Sequence, residues 1–156
     1  MSRTARTLLA EHAFLVGFPA DTVELVARGA ELVSFQPGVL LFREGRPADA
    51  AYFVTAGQVA IEVHTPHGGP VVIETIGAGR LVGLSWAAPP FRYQFDARAI
   101  DEVEAVAVDA AALRVALAEN PVAGFSFLNS LAAVMLDRLQ ATRLRLLDLY
   151  GTGDAR

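Results

Sequence analysis

The densest potential chemistry in this sequence lies between positions 81 and 99, in LVGLSWAAPPFRYQFDARA. Gly83, Ser85 and a single arginine, Arg92, stand there among Trp86, Phe91, Tyr93 and Phe95. An arginine held among aromatics can grip an anion through charge-assisted hydrogen bonds while the rings offer flat faces to a planar ligand. The same rings can instead plug a cavity and become core, and the residue types alone leave both readings open. Ser85 is either a polar ligand contact or a helix cap. Arg98 alternates with Ala97 and Ala99, so it is expected on the opposite face of its strand, in a surface salt bridge. Glu44, beside Gly45, is expected to stabilise a turn.

Other chemistries find little to work with. His64 and His67 stand three apart with no matching carboxylate in the local sequence, and His12 is remote. They are expected to be solvated loop residues, not metal ligands. A Ser-His-Asp arrangement is not visible, and a chain without lysine cannot carry a Walker-type Gly-Lys loop. The absence of cysteine excludes disulfides and thiolate metal sites. The chain is read as a non-enzyme.

The elements that must hold residues 81–99 are legible from periodicity. Two short helices are expected first, RTLLAEHAF and ADTVELVARG, the second opened by a capping box of Asp21 and Glu24 and ended by Gly29. From Ala30 to Val108 the period falls to two, as in Val59, Ile61 and Val63 against Gln58, Glu62 and His64. Pro37-Gly38 marks a turn, HTPHGGP a hairpin tip, and a further strand pair is expected at Phe95–Ile100 and Glu104–Val108. Short, closely spaced antiparallel strands predict a β-roll or jelly roll. Helical spacing returns with Asp109 as an N-cap and Pro121 as a stop. A long helix is then expected over 122–150, with an apolar stripe through Phe125, Leu128, Ala132, Met135, Leu139, Leu146 and Leu149. A second stripe runs through Leu131, Val134, Ala141 and Leu144. That breadth suits either one wide core-facing helix or a helix shared with a second copy of the chain. Gly151, Gly153 and a polar end mark its fraying terminus.

Composition bounds the rest. A chain of 156 residues with 53% hydrophobic and 19% charged content is expected to form one globular α+β domain. Its parts would be helices over 1–29, a β-roll over 30–108 and closing helices over 109–150. All thirteen basic residues are arginine and are scattered in a chain of net charge −4, which lacks the basic footprint of a nucleic-acid binder. There is no signal-peptide pattern and no uninterrupted apolar run of the ~18 residues that a membrane span requires. A cytoplasmic location without membrane contact is the expectation.

The punctuation within this order carries a resemblance. PGVLLFREGRPADAAYFVTAGQVAIEV resembles the opening of a cyclic nucleotide-binding domain of the catabolite activator (Crp/Fnr-like) type, with Gly38, Gly45 and Gly57 at the turns of the roll. The resemblance continues through ETIGAGRLVGL and the closing helices, nearly the whole chain. It implies that residues 81–99 are the phosphate-binding cassette, in which a glycine admits backbone amides to a cyclic phosphate, a Glu accepts the ribose 2′-hydroxyl and an Arg binds the phosphate. Its implied pocket here is Gly83, Leu84, Ser85, Trp86, Arg92 and Tyr93, with cyclic AMP or cyclic GMP as the possible ligand. Two departures stand out. Leu84 replaces the Glu, and the register taken from DARA puts the family arginine on Tyr93, one place from Arg92. A one-residue slip is tolerable in a loop but reverses the side chain's face in a strand. The resemblance implies a regulatory sensing module, with a ligand-free scaffold whose pocket is filled as the alternative. No helix-turn-helix domain follows the long helix within the 156 residues, so the signal is expected to pass to a protein partner or across a homodimer.

Overall fold

The structure, a computed structural model, describes residues 3–151. Gly153, expected in the fraying end, lies outside them. The chain divides into two compact units, the first ending at Ala116 and the second beginning at Leu117.

The first unit opens with α1 (Ala5–Glu11) and α2 (Ala20–Ala27). Thr4 caps α1 through its hydroxyl, which accepts from Thr7 N–H at 3.2 Å. The expected capping box of α2 is not formed: the N-cap is Pro19, and Asp21 falls inside the first turn. Proline's fixed φ and free carbonyl, which accepts from Thr22 and Val23, start the helix two residues early. Asp21 still lies where a carboxylate complements the helix dipole, and Glu24 forms an ion pair with Arg6. Gly29, at φ +70°, turns the chain out of α2.

Eight strands follow: β1 (Ala30–Phe35), β2 (Leu40–Phe42), β3 (Ala50–Ala56), β4 (Val59–Thr65), β5 (Gly69–Ile76), β6 (Leu81–Val82), β7 (Asp96–Ala99) and β8 (Val103–Asp109). All pairings are antiparallel, in two four-stranded sheets ordered β1-β8-β3-β6 and β2-β7-β4-β5. This is the antiparallel β-roll expected from the sequence, of the double-stranded β-helix or jelly-roll kind. The strands expected at 95–100 and 104–108 exist, but β7 and β8 belong to different sheets. Asp101 stabilises the turn between them, its carboxylate accepting from Gln58 N–H at 2.7 Å. Val54, Val59, Phe53, Val103 and Val106 are fully buried, as expected where alternating apolar residues meet a packed layer.

Turn glycines bend the roll. Gly38, Gly45 and Gly57 all have φ between +83° and +85°. Gly57 is doubly constrained, because a Cβ there would lie 2.3 Å from the Glu102 carbonyl oxygen.

α3 (Ala110–Glu119) begins where Asp109 accepts from Ala112 N–H at 2.8 Å, the N-cap expected. In the second unit α4 spans Pro121–Gly151, with proline at its first position. Its expected stripe is exposed: Phe125, Leu128, Met135, Leu139, Leu146 and Leu149 all face solvent, whereas Leu131 is buried. Among the described residues α4 is the one helix long and apolar enough to cross a bilayer by length and composition. Ser126, Asn129 and Ser130 interrupt its apolar run.

Candidate functional site

The segment 81–99 enters as β6, which pairs with β3 through Tyr52–Val82 and Phe53–Leu81. At Gly83 the backbone turns left-handed, φ +86°, and Leu84–Ala87 forms a single 3-10 turn. Leu84 and Ser85 are half-buried on this turn. Trp86 is fully buried. Its backbone carbonyl accepts from Arg114 Nη1 at 2.8 Å, and the same guanidinium lies over the Phe91 ring, 4.2 Å from its centroid. Arg114 thus fastens both ends of the loop to α3, a role that no local sequence pattern announces.

The chain then returns in extended form alongside the β2–β3 loop. Ala48 N–H donates to Phe91 O at 2.7 Å, Tyr93 N–H to Arg46 O at 2.9 Å, and Gly45 N–H to Tyr93 O at 2.8 Å. Neighbouring residues in such a segment point to opposite faces. Tyr93 therefore points inward and Arg92 outward.

Arg92 is exposed, and its Nη1 donates to Gly45 O at 2.8 Å. Tyr93 is buried: its ring stacks on Phe42 with centroids 3.7 Å apart and planes 8° from parallel. Its hydroxyl donates to Ala50 O at 2.8 Å and accepts from Ala50 N–H at 3.3 Å. Burial, partly offset by the Ala50 hydrogen bond, pushes the phenol up to about 12. The two rings close over Gly83, where an added Cβ would lie 3.2 Å from Phe42 Cε1 and 3.2 Å from Tyr93 Cε1. Of the six pocket candidates, the structure gathers Gly83 and Tyr93 at one point. Leu84, Ser85 and Trp86 follow on the adjoining turn, and Arg92 projects away from them. The aromatic cluster divides in the same way, with Phe91 half-buried and Phe95 exposed.

A second polar set flanks this segment. His64 lies on β4, not in the hairpin loop, and it has a carboxylate partner: its Nε2 is 2.7 Å from Asp96 Oδ2 on β7. The other Asp96 oxygen accepts from Glu44 N–H at 2.8 Å. His64 is solvated as expected, its side chain 53% exposed, but the expected lack of a carboxylate fails because strand pairing brings together residues 32 positions apart. Burial raises the Asp96 pKa, but the Glu44 and His64 hydrogen bonds and nearby Arg43 outweigh it and hold the group below its ordinary value. Glu44 thus serves the turn through its backbone. Arg98 does form a salt bridge, Nε to Glu62 Oε1 at 2.7 Å, yet its partner is buried. Its Nη1 also donates to Gly38 O at 2.7 Å. His67 stays in the exposed tip. No group of three potential metal ligands occurs among the described residues.

His12 was unmarked in the sequence, and it is buried. Its Nε2 lies 3.0 Å from Val54 O, its Nδ1 accepts from Phe14 N–H at 3.2 Å, and its ring meets Phe53 edge-on. Burial pushes its pKa below the ordinary histidine value, outweighing the hydrogen bonds.

Comparison with known proteins places this geometry in a family. The cyclic nucleotide-binding domain profile matches residues 32–120, more than half of the chain. The chain belongs to the cyclic nucleotide-binding domain family. The "CRP-like cAMP-activated global transcriptional regulator" of Mycobacterium tuberculosis is 29% identical over 145 residues, 93% of this chain and 63% of that protein. The chain thus spans less than two thirds of that relative's length. Among solved structures, a putative cyclic nucleotide-binding protein from Geobacter metallireducens superposes with TM-score 0.76 at 25% identity, covering 89% of this chain and 99% of that one. A cyclic nucleotide-binding domain from Methylobacillus flagellatus superposes with TM-score 0.81 at 20% identity, covering 93% and 85%, a likeness of fold. Residues 81–99 lie within the matched span.

Proposed function

We propose that this chain is a non-enzymatic regulatory module of the cyclic nucleotide-binding family whose cassette is closed by its own side chains. On this reading it does not take cyclic AMP or cyclic GMP through the family's usual contacts. The observation that carries the reading is the Tyr93 ring, stacked on Phe42 over Gly83 and held at both Ala50 backbone groups. Two further observations support it. Leu84 has no acceptor for a ribose hydroxyl, and Arg92 is committed to Gly45 O on the outer face. A hydrogen bond to a charged group contributes about 1.5–3 kcal/mol. Losing both the acidic and the arginine contact thus weakens binding by roughly a hundredfold or more.

The module would act as a single unit in the cytoplasm, signalling through a protein partner and a homodimer formed on α4. The exposed Leu139, Leu144, Leu146 and Leu147 support the homodimer, since apolar stripes of this extent on a helix are normally covered. A thermal-shift panel of cyclic AMP, cyclic GMP, cyclic dinucleotides and inorganic phosphate tests the closed cassette. A ligand at a hundred times its Kd adds about 2.7 kcal/mol of stability, or several degrees. The closed cassette predicts no shift with any of them, and a shift abolished by Arg92→Ala would restore the sensing reading.

A further inference from the structure

Away from the cassette, α1 and the β1-β8-β3 sheet line a cavity of about 400 Å³ that is open to solvent. Leu8 of α1 and Leu32 of β1 supply its apolar wall, and Leu32 is 50% exposed. At one end a polar row crosses three strands. Ser34 of β1 lies directly opposite Glu104 of β8. Thr55 stands at the register shift where β3 meets β8, its hydroxyl donating to the Glu104 backbone oxygen at 3.1 Å. The volume falls in the range of small-molecule sites, which join an apolar wall to a few placed polar groups.

Charge decides what such a site would take. Arg3, at the rim, is already paired with Glu11. The Glu104 carboxylate has no side-chain partner among the described residues, and neither has the Ser34 hydroxyl. The free acceptor is therefore acidic and the basic group is engaged, so an anion finds no open counter-ion here and a cation does.

We propose that this cavity binds a small organic cation, an ammonium group on an apolar body, with Glu104 as its counter-ion and Ser34 as a second acceptor. The apolar body lies along Leu8 and Leu32, and the ammonium reaches the polar row. None of these residues belongs to the cassette, so the proposal stands or falls separately from the closed-cassette reading.

Amide-detected NMR titration of the full chain with hexylamine, hexan-1-ol and hexanoate tests it. Hexylamine is expected to shift the amides of Leu8, Leu32, Ser34, Thr55 and Glu104 saturably, and more tightly than hexan-1-ol. Hexanoate is expected not to bind. Glu104→Gln should weaken hexylamine roughly fivefold, the scale of a solvent-reached ion pair with a hydrogen bond, and leave hexan-1-ol unchanged. Leu8→Trp should fill the cavity and block both. Glu104 is exposed, so Glu104→Gln should keep the native spectrum elsewhere. Absence of saturable shifts, hexanoate binding as well as hexylamine, or Glu104→Gln binding hexylamine as the native chain does would each overturn the proposal.

Discussion

Truncating Tyr93 probes the closed cassette through stability alone, with no ligand required. Tyr93→Phe removes a hydroxyl that bridges both Ala50 backbone groups. Net loss of a buried hydrogen bond costs about 0.5–1.5 kcal/mol, and an orphaned partner raises the cost to as much as about 3 kcal/mol. Tyr93→Ala also removes the ring stacked on Phe42, and deleting a buried aromatic side chain costs about 3–5 kcal/mol. In a chain of this size 1 kcal/mol corresponds to roughly 2–4 °C in Tm. The expected falls are therefore about 1–12 °C for Tyr93→Phe and about 6–20 °C for Tyr93→Ala. Scanning calorimetry reads both, and guanidinium titration checks that the slope m is unchanged. The vacated space beside Gly83 gives a second readout, because buried apolar cavities bind small aromatics. 4-Methylphenol should restore part of the Tm of Tyr93→Ala and leave the native chain unaffected. A loss below about 1 kcal/mol for Tyr93→Ala, with no rescue, would show that the ring is not a packed plug and refute the reasoning.

Arg114→Ala should release the cassette loop by removing the bond to Trp86 O and the cation over Phe91. Hydrogen exchange of the amides at 84–88 and 91 is expected to accelerate, with about 1–3 kcal/mol lost overall. His12 gives a pH dependence. Its folded pKa lies below the unfolded 6.5, so the unfolded chain binds the extra proton and stability falls as pH drops through about 6.5. Denaturant titrations between pH 8 and 5 should show stability falling toward acid, by at most about 1.4 kcal/mol per pH unit from this group, and His12→Gln should remove that component. Gly124→Ala should destabilise the α3–α4 turn by roughly 1–3 kcal/mol in thermal melts, because its Cβ would lie 2.4 Å from Leu117 O. Leu139→Asp with Leu146→Asp should convert a dimer to monomer in sedimentation equilibrium, and an unchanged mass would remove α4 from the interface.

The fold was legible because its signals are local. Period-two alternation marked β4, the positive-φ glycines marked turns of the roll, and Asp109 announced α3 within four residues of the bond it makes. The α2 boundary slipped because Pro19 offered a start beside the better-looking Asp21. The site was harder to read. Leu84 was visible as a missing acceptor, but whether Arg92 or Tyr93 entered the pocket depended on pairing with the loop at 45–48, far away in sequence. Once that loop pairs with residues 92–93 as an extended segment, the one-residue displacement becomes a change of face. The pairs His64–Asp96, Glu62–Arg98 and His12–Val54 escaped notice for the same reason: each joins strands or helices more than thirty positions apart.

Calorimetric titration of the native chain with cyclic AMP tests the closed cassette most directly. With the Tyr93 ring stacked on Phe42 over Gly83, the proposed closed cassette is expected to give no saturable heat up to millimolar nucleotide. A saturable isotherm with a micromolar Kd, lost on Arg92→Ala, would contradict the account.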